Sequence, residues 1–140
     1  MKFDSITKYI EEIEYAESFG NWTNPSGKDG TAENPQFFPY VNYEQLVSTF
    51  ELEFYRFRRT LHYKLGNYSE ILEKYDMPEE WGSKELFSLD VSKFDERSIM
   101  ALIYGVLRTE RFNEGTLLEF FETGCILKWL KRLREIDEGN

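Results

Sequence analysis

Apolar positions recur at helical spacing through most of this chain. In residues 4–18, Ile6, Ile10 and Ile13 form a stripe with Tyr9 and Ala16, and Glu11, Glu12, Glu14 and Glu17 take the other side. Asp4 or Ser5 is placed to cap this helix. A second stripe runs Leu46, Phe50, Phe54, Phe57, Leu61, Leu65 and predicts a helix over 43–65. Asn42 and Gln45 have the spacing of a capping box, and Val41 and Leu46 that of a hydrophobic staple. Gly66 is expected to end the helix in the left-handed position. Arg56, Arg58, Arg59, His62 and Lys64 fall in its last turns, where cations complement the helix dipole.

Asn67 with Glu70 repeats the capping-box spacing and predicts a short helix to about Tyr75, ended by Asp76-Met77-Pro78. Residues 79–94 are ambiguous, with Trp81 and Gly82 followed by a turn of helix at 84–88. Asp95 caps a core helix from 96 to about 111, with Phe94 and Ile99 as its staple and Ile99, Leu102, Ile103, Val106 and Leu107 as its buried face. Asn113-Glu114-Gly115 predicts a turn. Two helices follow, 116–122 and 125–136, separated near Gly124. In the second, Ile126, Trp129, Leu130, Leu133 and Ile136 share one side, and Lys128, Lys131, Arg132 and Arg134 the other. The expected fold is all-α: a compact single-domain bundle of five or six helices over residues 1–140, with 43–65 and 96–111 central.

Residues 19–41 interrupt the periodicity. Gly20, Asn24-Pro25, Gly27, Asp29-Gly30, Asn34-Pro35 and Pro39 are turn formers, interspersed with Phe19, Trp22, Phe37, Phe38 and Tyr40. A structureless loop this long is uncommon in a compact domain, and it is either mobile or pinned by its own aromatics. Rings at both ends suggest pinned ends and an exposed tip around 25–34. A short hairpin is compatible with that pattern.

Charge adds a bias. The formal net charge is −9. Residues 1–55 carry ten acidic and three basic side chains, so most of the surplus lies there. This field disfavours direct binding to nucleic acid or anionic membranes and favours solubility or a basic partner. The longest apolar run without a charge, Ser98 to Leu107, is far short of the ~20 residues of a membrane span. One cysteine, Cys125, allows no intrachain disulfide and suits a reducing, cytoplasmic setting. Twelve Phe, nine Tyr and three Trp supply enough large rings for a real core at this length.

No catalytic constellation stands out. A nucleophile–base pair would have to join Cys125 to His62, the only residue of each kind. Cys125, followed by Ile126 and Leu127, reads as a small core residue, and His62 as part of a charged helix face near Arg58 and Arg59. Zinc, calcium-loop and phosphate-loop spacings are absent, so no metal or cofactor is expected. The segment Arg108-Thr109-Glu110-Arg111-Phe112-Asn113-Glu114-Gly115 concentrates charge, a ring and a turn at a helix–helix junction. It has two readings. In one, Arg111 bonds carbonyls at the end of its own helix and Glu114 satisfies the first amides of the next. In the other, Arg111 and Glu114 face a ligand beside an exposed helix start.

Phe19-Gly20-Asn21-Trp22, Pro39-Tyr40-Val41-Asn42-Tyr43, Arg111-Phe112-Asn113-Glu114-Gly115, Gly124 and Leu130-Lys131-Arg132-Leu133 together resemble a bacterial family of unknown function. Its most specific segment is R-F-x-[DE]-G with a glycine nine residues later. The resemblance implies bacterial origin and helical structure and no activity. Two functions remain in play. One is a cytoplasmic protein-interaction or regulatory module, with Trp22 and Tyr40 as anchors and another protein as partner; an acidic mimic of nucleic acid is its narrower form. The other is a small-ligand binder or enzyme with a pocket near Arg111 and Glu114. Exposed aromatics fit a homodimer interface as well as core padding.

Overall fold

The computed structural model describes residues 1–23, 39–78 and 84–139. The loop tip at 25–34, Phe37, Phe38 and Trp81-Gly82 lie outside the described residues. The element order is α1 (Asp4–Thr7), α2 (Ile10–Tyr15), β1 (Gly20–Thr23), β2 (Tyr40–Tyr43), α3 (Gln45–Arg58), α4 (Tyr68–Ile71), a 3₁₀ turn (Lys84–Ser88), α5 (Glu96–Glu110), α6 (Thr116–Glu122) and α7 (Cys125–Asp137). The chain is mostly helical, as expected, and its only sheet among the described residues is a two-stranded antiparallel ribbon. No helix among these residues is long and apolar enough to cross a membrane.

α5 is the centre. Every residue from Ser98 to Leu107 is buried, so this helix is enclosed on all sides rather than along one stripe. Its N-terminus is built as expected: the Asp95 carboxylate accepts the Ser98 N–H at 2.8 Å. Phe94 and Ile99 are both buried, and Phe94 stacks on Tyr75 with ring centroids 3.8 Å apart. One contiguous core runs from Phe3 and Ile6 through Phe50, Phe54 and α5 to Trp129 and Leu133.

The first predicted helix is broken at Lys8–Tyr9, and the cause is visible. The Thr7 hydroxyl donates to the Phe3 carbonyl at 3.1 Å, and Arg134 Nη2 from α7 donates to the Thr7 carbonyl at 3.1 Å. A carbonyl held from outside leaves the helical ladder, which bends there. Neither Asp4 nor Ser5 caps α1; the Asp137 carboxylate accepts the Phe3 N–H at 2.8 Å instead.

The second helix is shorter than its apolar stripe. Asn42 is not its cap, because it sits in β2 opposite Asn21. The cap position is Glu44, with no side-chain bond, so the capping box with Gln45 and the Val41–Leu46 staple do not form. At the far end, the Thr60 hydroxyl and N–H both donate to the Phe57 carbonyl, closing a tight turn that ends α3. Leu65 is buried beyond the helix, Gly66 is not left-handed, and His62 is exposed past the helix end against Tyr63. Asn67 does occupy the cap position of α4, but its side chain makes no capping bond and the helix stops at Ile71. Such spacings mark only where a cap can form, and tertiary pairing decided otherwise.

The basic side of α7 is a clamp. Lys128 Nζ donates to the Phe87 and Leu89 carbonyls at 3.4 and 2.8 Å, and Arg132 Nε to the Phe94 carbonyl at 3.0 Å. Lys131 pairs with Glu14 at 3.1 Å and Arg134 with Glu11 at 2.8 Å. These bonds hold the irregular segment before α5 and both N-terminal helices against α7.

Two predictions follow the packing. Trp129 is fully buried and its indole N–H has no acceptor. Trp129→Phe removes that orphan donor along with some volume, so it is expected to cost well under the ~3–5 kcal/mol of Trp129→Ala in urea unfolding. A phenylalanine variant as unstable as the alanine one contradicts this. The second concerns Asp95. Burial alone would raise its carboxyl from the ordinary 3.8, but bonds from Lys74 and Ser98 outweigh burial and hold it at about 2. A carboxyl depressed by folding stabilises above its unfolded value and loses that contribution as pH falls through its folded value. Asp95→Ala should therefore cost about 1 kcal/mol near neutrality. The gap in Tm to the unmodified chain should narrow as pH drops from 3.8 toward about 2.

Candidate functional site

The junction between α5 and α6 is where polar groups concentrate. α6 begins at Thr116 after Gly115, whose φ of +100° is left-handed. A helix start leaves backbone amides needing acceptors. Here Glu110 Oε1, from the last turn of α5, accepts the Gly115 and Leu117 amides at 3.0 and 2.8 Å. The Tyr43 hydroxyl accepts the Leu118 amide at 3.1 Å and is itself bonded to Glu110. Thr116 N–H and Glu119 N–H go to the Asn113 and Gly115 carbonyls. The start of α6 therefore has no free amide for an anion, and the carboxylate that serves it is Glu110, not Glu114.

The ribbon docks on this junction. Trp22, Val41 and Tyr43 share one face of the β1–β2 pair, because Trp22 lies opposite Val41 and Gly20 opposite Tyr43. Val41 donates its N–H to Glu114 Oε2 at 2.7 Å. The Trp22 ring lies on Gly115 so closely that a Cβ there would collide with Trp22 Cζ2. The root of the ribbon is held by the Glu44 N–H to the Phe19 carbonyl at 2.9 Å and by the Phe19 ring on Phe121, centroids 5.1 Å apart.

Of the four residues nominated from sequence, Trp22 and Glu114 are brought together. They line one open groove of about 350 Å³ with Asn113, Thr116, Glu119 and Glu122. Tyr40 faces the other side of the ribbon, paired with Thr23, and is 48% exposed. Arg111 lies outside the groove lining. Its guanidinium sits over the Tyr55 ring of α3, 5.5 Å from the centroid, and does not bond the carbonyls of its own helix. Phe112, between them, is 84% exposed.

Burial pushes the Glu110 carboxyl up, opposed by the bonds from Leu117, Tyr43 and Gly115. Burial, then the neighbouring Glu110 charge, raises Glu51, against the pull of Arg111. Tyr43 is also raised, by burial and then by Glu110, so its hydroxyl stays protonated. Two half-buried carboxyls, a locked phenol and an arginine thus share one field. Among the described residues no group of three or more His, Cys, Asp or Glu converges to hold a metal ion. Cys125 is buried, its neighbours are the Leu86 and Phe87 carbonyls and the Thr123 hydroxyl, and burial pushes its thiol up, away from thiolate reactivity.

Sequence reasoning missed Glu110, Tyr43, Glu51 and Tyr55. One signal was available for Glu110: an acidic residue in a last helical turn opposes the dipole and needs a compensating donor. Nothing local marks the other three, because their partners at this junction, Glu110, Arg111 and Leu118, lie in a distant part of the chain.

Fold and junction define a helical protein whose β-ribbon is latched onto a helix–helix turn. The chain belongs to a family of unknown function, DUF6508, matched over residues 1–139. No curated protein and no solved structure matches it.

The latch is testable through Gly115. Gly115→Ala combines a left-handed backbone penalty of about 1–2 kcal/mol with a collision against Trp22. It is expected to destabilise by more than that penalty and to shift Trp22 fluorescence to longer wavelength. In a Trp22→Ala background the collision is gone, so the same substitution should cost only the backbone penalty. Equal costs in both backgrounds would show that Trp22 does not bear on Gly115.

Proposed function

We propose that this chain is a protein-interaction or regulatory module whose contact surface is the ribbon–junction face. The observation that carries this reading is the 84% exposure of Phe112 on the hydrogen-bonded turn whose Gly115 carries Trp22, itself 52% exposed. The backbone on either side of Phe112 is fixed, with the Phe112 and Asn113 N–H groups both on the Thr109 carbonyl. Large rings held in water on ordered backbone are typical anchors of protein interfaces. Tyr40 adds a separate exposed ring on the outer face of the same ribbon. The partner is another protein, and a second copy of the chain is one form of it. The setting is cytoplasmic, consistent with a single buried free cysteine, and residues 1–140 act as one domain, consistent with the continuous core.

A small-ligand pocket built on Arg111 and Glu114 fits less well. Those two side chains turn to different surfaces, Arg111 to Tyr55 and Glu114 to Val41. The groove beside Glu114 is open and rimmed by further carboxylates.

The test compares quantitative affinity capture with the intact chain, Phe112→Ser and Tyr15→Ser. Tyr15 is as exposed as Phe112 but lies on α2. A partner retained by the intact chain and by Tyr15→Ser, but reduced about tenfold or more by Phe112→Ser, is the expected result for an aromatic anchor. Sedimentation of the same three proteins checks the homodimer. Identical capture and identical sedimentation across all three would remove the assignment.

A further inference from the structure

α5 passes α3 with tyrosines between them. Tyr104 and Arg108 on α5 and Arg111 at its C-cap follow one another at helical spacing, as do Tyr55 and Arg58 on α3. The Tyr55 and Tyr104 rings are 6.3 Å apart, and Tyr68 from α4 adds a third ring 5.9 Å from Tyr104. The Arg58 guanidinium lies 5.6 Å from the Tyr55 centroid and 5.3 Å from that of Tyr104, and Arg111 lies 5.5 Å from Tyr55. Arg108 acts on the Tyr55 hydroxyl through its charge.

Two features coincide in this cluster. Among the described residues, Arg58, Arg108 and Arg111 form no ion pair within 4.0 Å. They share this with Arg56, Arg59, Lys64, Lys93 and Arg97, whereas Lys2, Lys8, Lys74, Lys131, Arg132 and Arg134 pair with carboxylates. Second, Arg58 Nε and the Tyr55 hydroxyl are buried and bonded to nothing. Buried donors are ordinarily satisfied, so a group of donors with no acceptor is short of one component. Glu51, a turn before Tyr55, shares the field but makes no pair with Arg111 within that distance.

We propose that Arg58, Arg108 and Arg111, set around the Tyr55–Tyr104 pair, form a binding site for a phosphoryl oxyanion, either free phosphate or the phosphate of a small organic ester. Guanidinium groups present paired donors to phosphate oxygens. Three of them, arriving from two helices, suit a tetrahedral anion better than a two-oxygen carboxylate. The tyrosine faces hold the guanidinium planes in place and offer a surface for an ester's organic part. The overall charge of −9 repels a polyanion, so the ligand is small. This site is separate from the aromatic contact surface, since it faces α3 rather than the ribbon.

The experiment is NMR of the intact chain, following the Arg58 Nε–H signal during titration with inorganic phosphate, phenyl phosphate and acetate. The expected result is a saturating shift with either phosphate and a much weaker response to acetate. Arg108→Gln and Arg111→Gln should each weaken phosphate binding about tenfold or more, the loss of a charge-assisted bond. Arg56→Gln, on the exposed side of α3, should leave it unchanged. Tighter binding of phenyl phosphate identifies an organic ester as the ligand, and equal binding identifies the free anion. A shift that does not saturate, an equal response to acetate, or equal weakening by Arg56→Gln overturns the proposal. The titration of the unmodified chain decides the matter even if a variant does not fold.

Discussion

The enclosure of α5 is the constraint on which everything else depends. Ten consecutive residues, Ser98 to Leu107, are shielded from water. A helix apolar on every side must be covered on every side. Its own backbone bonds are internal, so the covering elements need bring only side-chain surface. The polar work is displaced to its ends. At the N-terminus Asp95 caps the helix and pairs with Lys74 at 2.8 Å. At the C-terminus Glu110 stands at the negative end of one dipole and the positive end of the next. Its position is favourable only because α6 starts where it does, so the turn at Asn113–Gly115 and the end of α5 form one unit.

The covers are fastened mainly by hydrogen bonds from side chain to backbone. Lys128, Arg132 and Arg134 reach carbonyls of Phe87, Leu89, Phe94 and Thr7. Such bonds do not depend on regular structure in the segment they hold. That explains how a helical protein tolerates an irregular stretch before α5 and a broken first helix. The segment Leu130-Lys131-Arg132-Leu133, part of the resemblance to the family, is thereby accounted for: the leucines enter the core and the cations clamp the neighbours.

Helix identity was legible where burial and periodicity agreed. Ile6, Phe50, Phe54, Leu102, Trp129 and Leu133 are all buried as their spacing implied. Boundaries were legible only where the cap is local, as at Asp95. Asn42 has the same local chemistry, yet ribbon pairing with Asn21 claimed it first. The stripe through Leu61 and Leu65 also misled, because a chain can return a leucine to the core without remaining helical. At the candidate site, the density of charge in residues 108–115 matches a concentration of side-chain bonds there. The distribution of roles was not legible, because each role depends on a distant partner: Tyr43 for Glu110, Val41 for Glu114, Tyr55 for Arg111.

Those partners divide the segment Arg111-Phe112-Asn113-Glu114-Gly115 into two kinds of residue. Glu114 and Gly115 hold the ribbon, and Arg111 lies against α3. Between these contacts the backbone at Phe112 is bonded to Thr109, and the ring points into water. Stability alone would favour a polar side chain there, since an exposed ring contributes nothing to the fold and raises the risk of association. Glu110, Glu114 and Tyr43 already satisfy the backbone around it, so the ring has no structural task either. The joint is therefore fixed by residues other than Phe112, and its ring stands in water on backbone that Thr109 holds.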